Sequence, residues 1–112
     1  MVAGGRAHLI PRWARRRSEL DTIAQIAIEL ELAEAAGIAS SAREAMAREA
    51  GHPGVVEPLG DAWLVFAGPG SFINRAAGLG MTAPVTGEQL DHIEAFFHRV
   101  GVPPCVDLCP YA

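Results

Sequence analysis

The sequence predicts an α+β fold in which helices and an antiparallel sheet pack as layers. Three stretches carry this. Asp61-Ala-Trp-Leu-Val-Phe-Ala67 is an apolar run of strand length, rich in aromatic and branched residues. Gly60-Asp61, just at its start, is a two-residue hairpin signal that folds the preceding segment back as an antiparallel partner. Thr86 opens the best-marked helix in the chain. Thr86-x-x-Gln89 is a capping box, and Leu90, Ile93, Phe97 and Val100 recur at helical spacing. Gly101 sits where a C′ glycine belongs, and Pro103-Pro104 prevent continuation. Strand, helix and strand joined by short links make half of an open α/β layer.

Taken in order, the chain begins with a basic arm, residues 1–17, expected to be disordered. It holds five arginines and no acid. His8-Leu9-Ile10 is too short to be the apolar middle of a signal peptide. Residues 18–36 predict a helix, because Ser18-x-x-Asp21 resembles a capping box and Leu20, Ile23, Ala27 and Leu30 form one apolar stripe. Ile26 and Ile28 fall off that stripe, so burial on more than one side is expected. Glu29, Glu31 and Glu34 read as a solvated face. Gly37 ends this helix. Ser41-x-x-Glu44 opens a second one through residue 50, which Gly51-His-Pro-Gly54 stops.

Val55-Val-Glu-Pro-Leu59 predicts a short strand, and Pro58 marks either an edge strand or a strand end. After the strand at residues 61–67, Gly68-Pro-Gly70 breaks the chain. A third strand is expected over residues 75–81, completing an antiparallel meander. The helix over residues 86–100 follows, and Cys105-Val-Asp-Leu-Cys109 contains a short C-terminal strand.

Composition narrows the class. With 112 residues and 50% hydrophobic content, the chain is one soluble domain with enough apolar residues for a core. No run approaches the roughly 20 apolar residues of a membrane helix. All nine basic residues are arginine, which reads as the bias of a G+C-rich bacterial genome. Beyond residue 17, four arginines face thirteen acids, a net charge of −9. Such a body is a poor nucleic-acid binder. Cys105 and Cys109 on one strand would lie about 13 Å apart, beyond disulfide reach. Nothing argues for secretion, so a cytoplasmic location is the expectation.

Few stretches suggest chemistry. Arg75-Ala-Ala-Gly78-Leu-Gly80 matches R-x-x-G-x-G, a loop that can cradle a pyrophosphate when its amides lead into a helix N-terminus. Here the helix starts six residues after Gly80, with Pro84 between, so the same glycines also fit a strand and its tight exit. His92 and His98 are six apart on one helix and point to different sides, so they do not share a metal. No CxxC, HExxH or GxSxG pattern occurs. Small buried hydrophobes are the simplest reading of both cysteines.

The second half of the chain resembles a known family. Gly60-Asp-Ala-Trp, Phe66-Ala-Gly68, Asn74-Arg-Ala-Ala-Gly-Leu-Gly80, Pro84-Val-Thr86, Leu90-Asp-x-Ile93-Glu-Ala-Phe-Phe97, Gly101-Val-Pro103 and Leu108-Cys-Pro110 follow in an order and spacing similar to a bacterial subgroup of the GNAT acyl-CoA N-acyltransferases. The resemblance covers roughly residue 18 to the end and is strongest from Gly60. It implies a partial GNAT-like fold over residues 18–112: two N-terminal helices, an antiparallel meander, a helix and a C-terminal strand.

The resemblance also implies acetyl-CoA as co-substrate and an amine, small-molecule or peptide, as acceptor. Main-chain amides around Arg75, Gly78, Leu79, Gly80 and Met81 would meet the thioester and pyrophosphate. Glu57, Asp61 and His92 are the candidates for a base that deprotonates the amine. The family pattern continues with a helix and strands beyond the segment matched here, which usually supply a tyrosine acid; the one tyrosine here is Tyr111. A truncated, inactive domain is therefore one expectation. The other is a non-catalytic binding module that dimerises, or recruits a partner, through an open sheet edge.

Overall fold

The computed structural model describes residues 10–110. It contains helix α1 (Arg12–Arg48), strands β1 (Val55–Leu59), β2 (Ala62–Phe66) and β3 (Arg75–Ala77), and helix α2 (Gly87–Val100). The strands form one antiparallel sheet in the order β1-β2-β3. The class is mixed α+β, as the patterning predicts.

The hairpin falls where Gly60-Asp61 indicates, with Leu59 opposite Ala62. Gly60 takes φ +60° while Asp61 stays at negative φ, which fits glycine at the first central position of a type II′ turn. Pro58 lies on the edge strand, where its missing N–H costs no ladder bond. β3 ends at Ala77, four residues before the expected limit of Met81, because Gly78 turns to φ +82° and leaves the ladder.

Alternation along β2 sends side chains to two cores. Ala62, Leu64 and Phe66 join Ala76, Leu79, Ile93, Phe96 and Phe97 between the sheet and α2. Val65 packs with Ala39, Ala42 and the half-buried Trp63 against α1. Thus α1 covers one face and α2 the other. The guanidinium of Arg43 lies 4.5 Å from the Trp63 ring centroid and closes the α1 side.

Helix α2 matches its sequence signals closely. Thr86 Oγ1 accepts from the Gln89 N–H at 3.1 Å, and Gln89 Oε1 accepts from the Thr86 N–H at 3.0 Å. Gly101 is left-handed at φ 78° and its N–H returns to Phe97 and His98. The buried side chains are Ile93, Phe96 and Phe97, so the core stripe is rotated away from Leu90, which is 49% exposed. Phe96 and Phe97 meet edge to face, with centroids 5.1 Å apart.

The two expected N-terminal helices are one. α1 runs 37 residues without a break through Gly37, Ser40 and Ser41. No proline interrupts it, and a single interior glycine costs only about 1 kcal/mol, which the buried row Ala35, Ala39 and Ala42 offsets. The expected Ser18 cap is not used: Ser18 lies inside the helix, and its carbonyl accepts from Thr22 Oγ1 at 3.0 Å. Nor does the stripe Leu20, Ile23, Ala27, Leu30 face the core. No residue of α1 before Ala35 is fully buried, and Leu20, Ile23, Ile26 and Leu30 are all exposed. The segment 12–17, expected in the arm, is helical; residues 1–9 and Tyr111 lie outside the described residues.

The expected C-terminal strand reduces to one parallel bridge, Ala76 to Val106. The Ala76 N–H donates to Cys105 O at 2.8 Å, and the Asp107 N–H donates to Ala76 O at 2.9 Å. Pro103, Pro104 and Pro110 flank this segment and limit its pairing.

Candidate cofactor cleft

The candidate residues Arg75, Gly78, Leu79, Gly80 and Met81 occupy β3 and its exit, but they do different things. Gly78 is explained by packing. A Cβ there would lie 3.1 Å from Ala35 Cβ and 3.6 Å from Leu32 Cδ2, so glycine lets the strand exit pass under α1. Leu79 and Met81 are buried, 5% and 6% exposed, and give their side chains to the interior. Gly80 turns to φ +75° between them.

Main chain is what this segment offers outward. Among the described residues, no main-chain hydrogen bond outside the helices and strands uses an N–H between Gly78 and Val85. The segment borders two open depressions. One, of about 160 Å³, lies between the Gly60-Asp61 turn and Gly78, Leu79, Gly80, Thr82 and Gln89. The other, of about 530 Å³, is lined by residues 80–85. Ala83 borders both.

Arg75 is turned to another task. It sits at the far end of β3 from Gly78, and its Nη1 donates to both carboxylate oxygens of Asp107 at 3.1 and 3.3 Å. Its Nη2 donates to Phe72 O. Arg75 thus ties the loop before β3 to the segment after α2. Its Nε is buried without a partner.

The three base candidates divide. Asp61 lines the smaller depression. Glu57 and His92, 35 residues apart in sequence, approach to 3.5 Å between Oε2 and Nε2, and Glu57 also takes Arg99. That partly exposed trio links β1 to α2 along the surface. A further depression of about 580 Å³ runs along α2 past Asp91, Glu94, Ala95, His98, Val102 and Pro104. Its acidic rim suits an anionic ligand poorly.

Two residues matter more than the sequence indicates. Asn74 Oδ1 accepts from the Ala67 N–H at 2.7 Å, and its Nδ2 donates to Gly68 O at 2.8 Å, clamping the loop between β2 and β3. Asp107 holds Arg75 and fixes the segment after α2. Asp107 cannot be found by local patterning because its partner lies 32 residues away, and Asn74 spans a loop too long for a turn motif, with partners six and seven residues away. Cys105 and Cys109 are both free thiols, and the expected burial is not met: Cys105 is exposed and Cys109 only half-buried, because the segment after α2 lies at the surface. Among the described residues, no group of three His, Cys, Asp or Glu side chains could hold a metal ion, and no helix is long and apolar enough to cross a membrane.

No family model matches this chain, and no curated protein or solved structure matches it.

Proposed function

We propose that residues 18–112 form the cofactor-side portion of an acetyl-CoA-dependent N-acetyltransferase of GNAT-like fold. The observation that carries this reading is the exit of β3. Amides between Gly78 and Val85, which make no main-chain hydrogen bond among the described residues, border a shallow cleft between a helix N-terminus and a hairpin turn, and the chain after α2 returns in parallel to Ala76. A backbone with spare donors and no side chain at Gly80 suits a thioester carbonyl and phosphate oxygens. Glu88 in the first turn of α2 already answers that helix end with negative charge, so loop amides, more than the helix dipole, would receive the ligand.

In this reading the acceptor amine attacks the thioester carbonyl and the CoA thiolate leaves. Asp61, at the cleft, is the candidate to take the amine proton. Isothermal titration with acetyl-CoA and CoA tests binding. Both should bind, and Ala83→Asp, which adds a negative charge at the exposed rim of both depressions, should weaken them about tenfold without unfolding the chain. A folded chain that gives no binding heat with acetyl-CoA removes this reading.

A non-catalytic interaction module is the second reading. It is favoured by a separate feature, the exposed half of α1.

A further inference from the structure

The first part of α1 leaves the body of the protein. The chain measures 69 × 32 × 19 Å with a radius of gyration of 19.5 Å, against about 13 Å for a compact domain of this length. Along that projecting helix, Trp13, Leu20, Ile23 and Leu30 are 67%, 58%, 48% and 66% exposed. With Ala27 they fall three, four and seven residues apart, the spacing of a coiled-coil seam.

Its charges are unevenly spread along the axis, with four arginines before Ser18 and the acids Glu19, Asp21, Glu29, Glu31 and Glu34 after it. Arg12, Arg15, Arg16 and Arg17 crowd the start, where no acid lies in the first turn and no side chain caps Pro11. Four positive charges against the positive end of the helix dipole are unfavourable in isolation. Glu29, Glu31 and Glu34 follow at the other end of the exposed segment.

We propose that this face of α1 is a self-association surface that takes α1 of a second copy of the chain, running antiparallel. The numbering carries the choice of occupant and direction. Arg12 and Glu34 are each eleven residues from Ile23, Arg15 and Glu31 each eight, and Arg17 and Glu29 each six. An antiparallel pair centred near Ile23 therefore sets Arg12, Arg15 and Arg17 level with Glu34, Glu31 and Glu29 of the other copy, while Arg16 falls level with Leu30. A parallel pair sets arginines beside arginines and glutamates beside glutamates. Leu20, Ile23, Ala27 and Leu30 supply the buried seam. This surface is distinct from the sheet edge and from the cofactor cleft, so it stands or falls independently of them.

Sedimentation equilibrium of the full chain tests it. The expected species is a dimer whose association weakens with added salt. Ile23→Glu places a charge in the seam at a residue exposed in the single chain, so circular dichroism should stay helical while dimerisation falls about tenfold or more. Arg12→Glu with Arg15→Glu should also weaken the dimer, and adding Glu31→Arg with Glu34→Arg to the same chain should restore it. A chain that stays monomeric overturns the proposal. So does a dimer indifferent to Ile23→Glu, which would move the contact to the sheet edge, and so does a charge swap that fails to restore association.

Discussion

At the scale of single residues, the fold depends on side chains whose roles are non-local. Gly78 combines a left-handed φ of +82° with 3.1 Å of clearance toward Ala35. Gly78→Ala meets both strain and a clash, so it should lower unfolding free energy by about 1–3 kcal/mol in a denaturant titration. Asn74 makes two hydrogen bonds across the loop between β2 and β3. Asn74→Ala leaves the Ala67 N–H without its partner, while the Gly68 carbonyl keeps the Ser71 N–H, and should cost about 1–2 kcal/mol, read the same way. The glycines at 78 and 80 were legible as positions of close backbone approach. What approaches Gly78 was not, because α1 arrives from more than forty residues earlier in the chain. Arg75 stands in the phosphate-loop pattern by letter only: its guanidinium answers Asp107, a pairing over 32 residues that no local motif encodes.

At the scale of elements, legibility follows how local the determinants are. α2 is written in its own ends, Thr86 with Gln89 at one and Gly101 at the other, and both act as the sequence indicates. The hairpin is equally local, set by Gly60. α1 is the opposite case. Gly37 and Ser41 look like a stop and a start, yet packing of Ala35, Ala39 and Ala42 on the sheet carries the helix through. Gly37 lies in that helix with nothing within 4 Å of where a Cβ would stand. Gly37→Ala should therefore stabilise the protein by about 0.5–1 kcal/mol, seen as a higher midpoint in the same titration. A lower midpoint would mean that the chain breaks at Gly37 after all. The strand after α2 was legible in place but not in extent, since prolines on both sides leave room for one bridge at Val106.

At the scale of the whole molecule, two features carry the proposals made for this chain. One is the layered body, with the sheet between the second part of α1 and α2 and a cleft at the exit of β3. The other is the projecting part of α1, whose apolar stripe the sequence shows clearly but whose exposure it hides. Periodicity reports that a helix has an apolar face and is silent on whether that face meets the sheet or another molecule. The proposed cofactor cleft and the proposed self-association surface lie on different parts of the chain, so the two can be separated experimentally. The most direct test of acyl-CoA binding is a thermal melt of the 112-residue chain with and without excess acetyl-CoA. A ligand that binds only the folded state raises the midpoint by mass action. The expected result is a cooperative melt whose midpoint rises with acetyl-CoA concentration, and rises less in Ala83→Asp. A cooperative melt that acetyl-CoA leaves unmoved would contradict the acyltransferase reading.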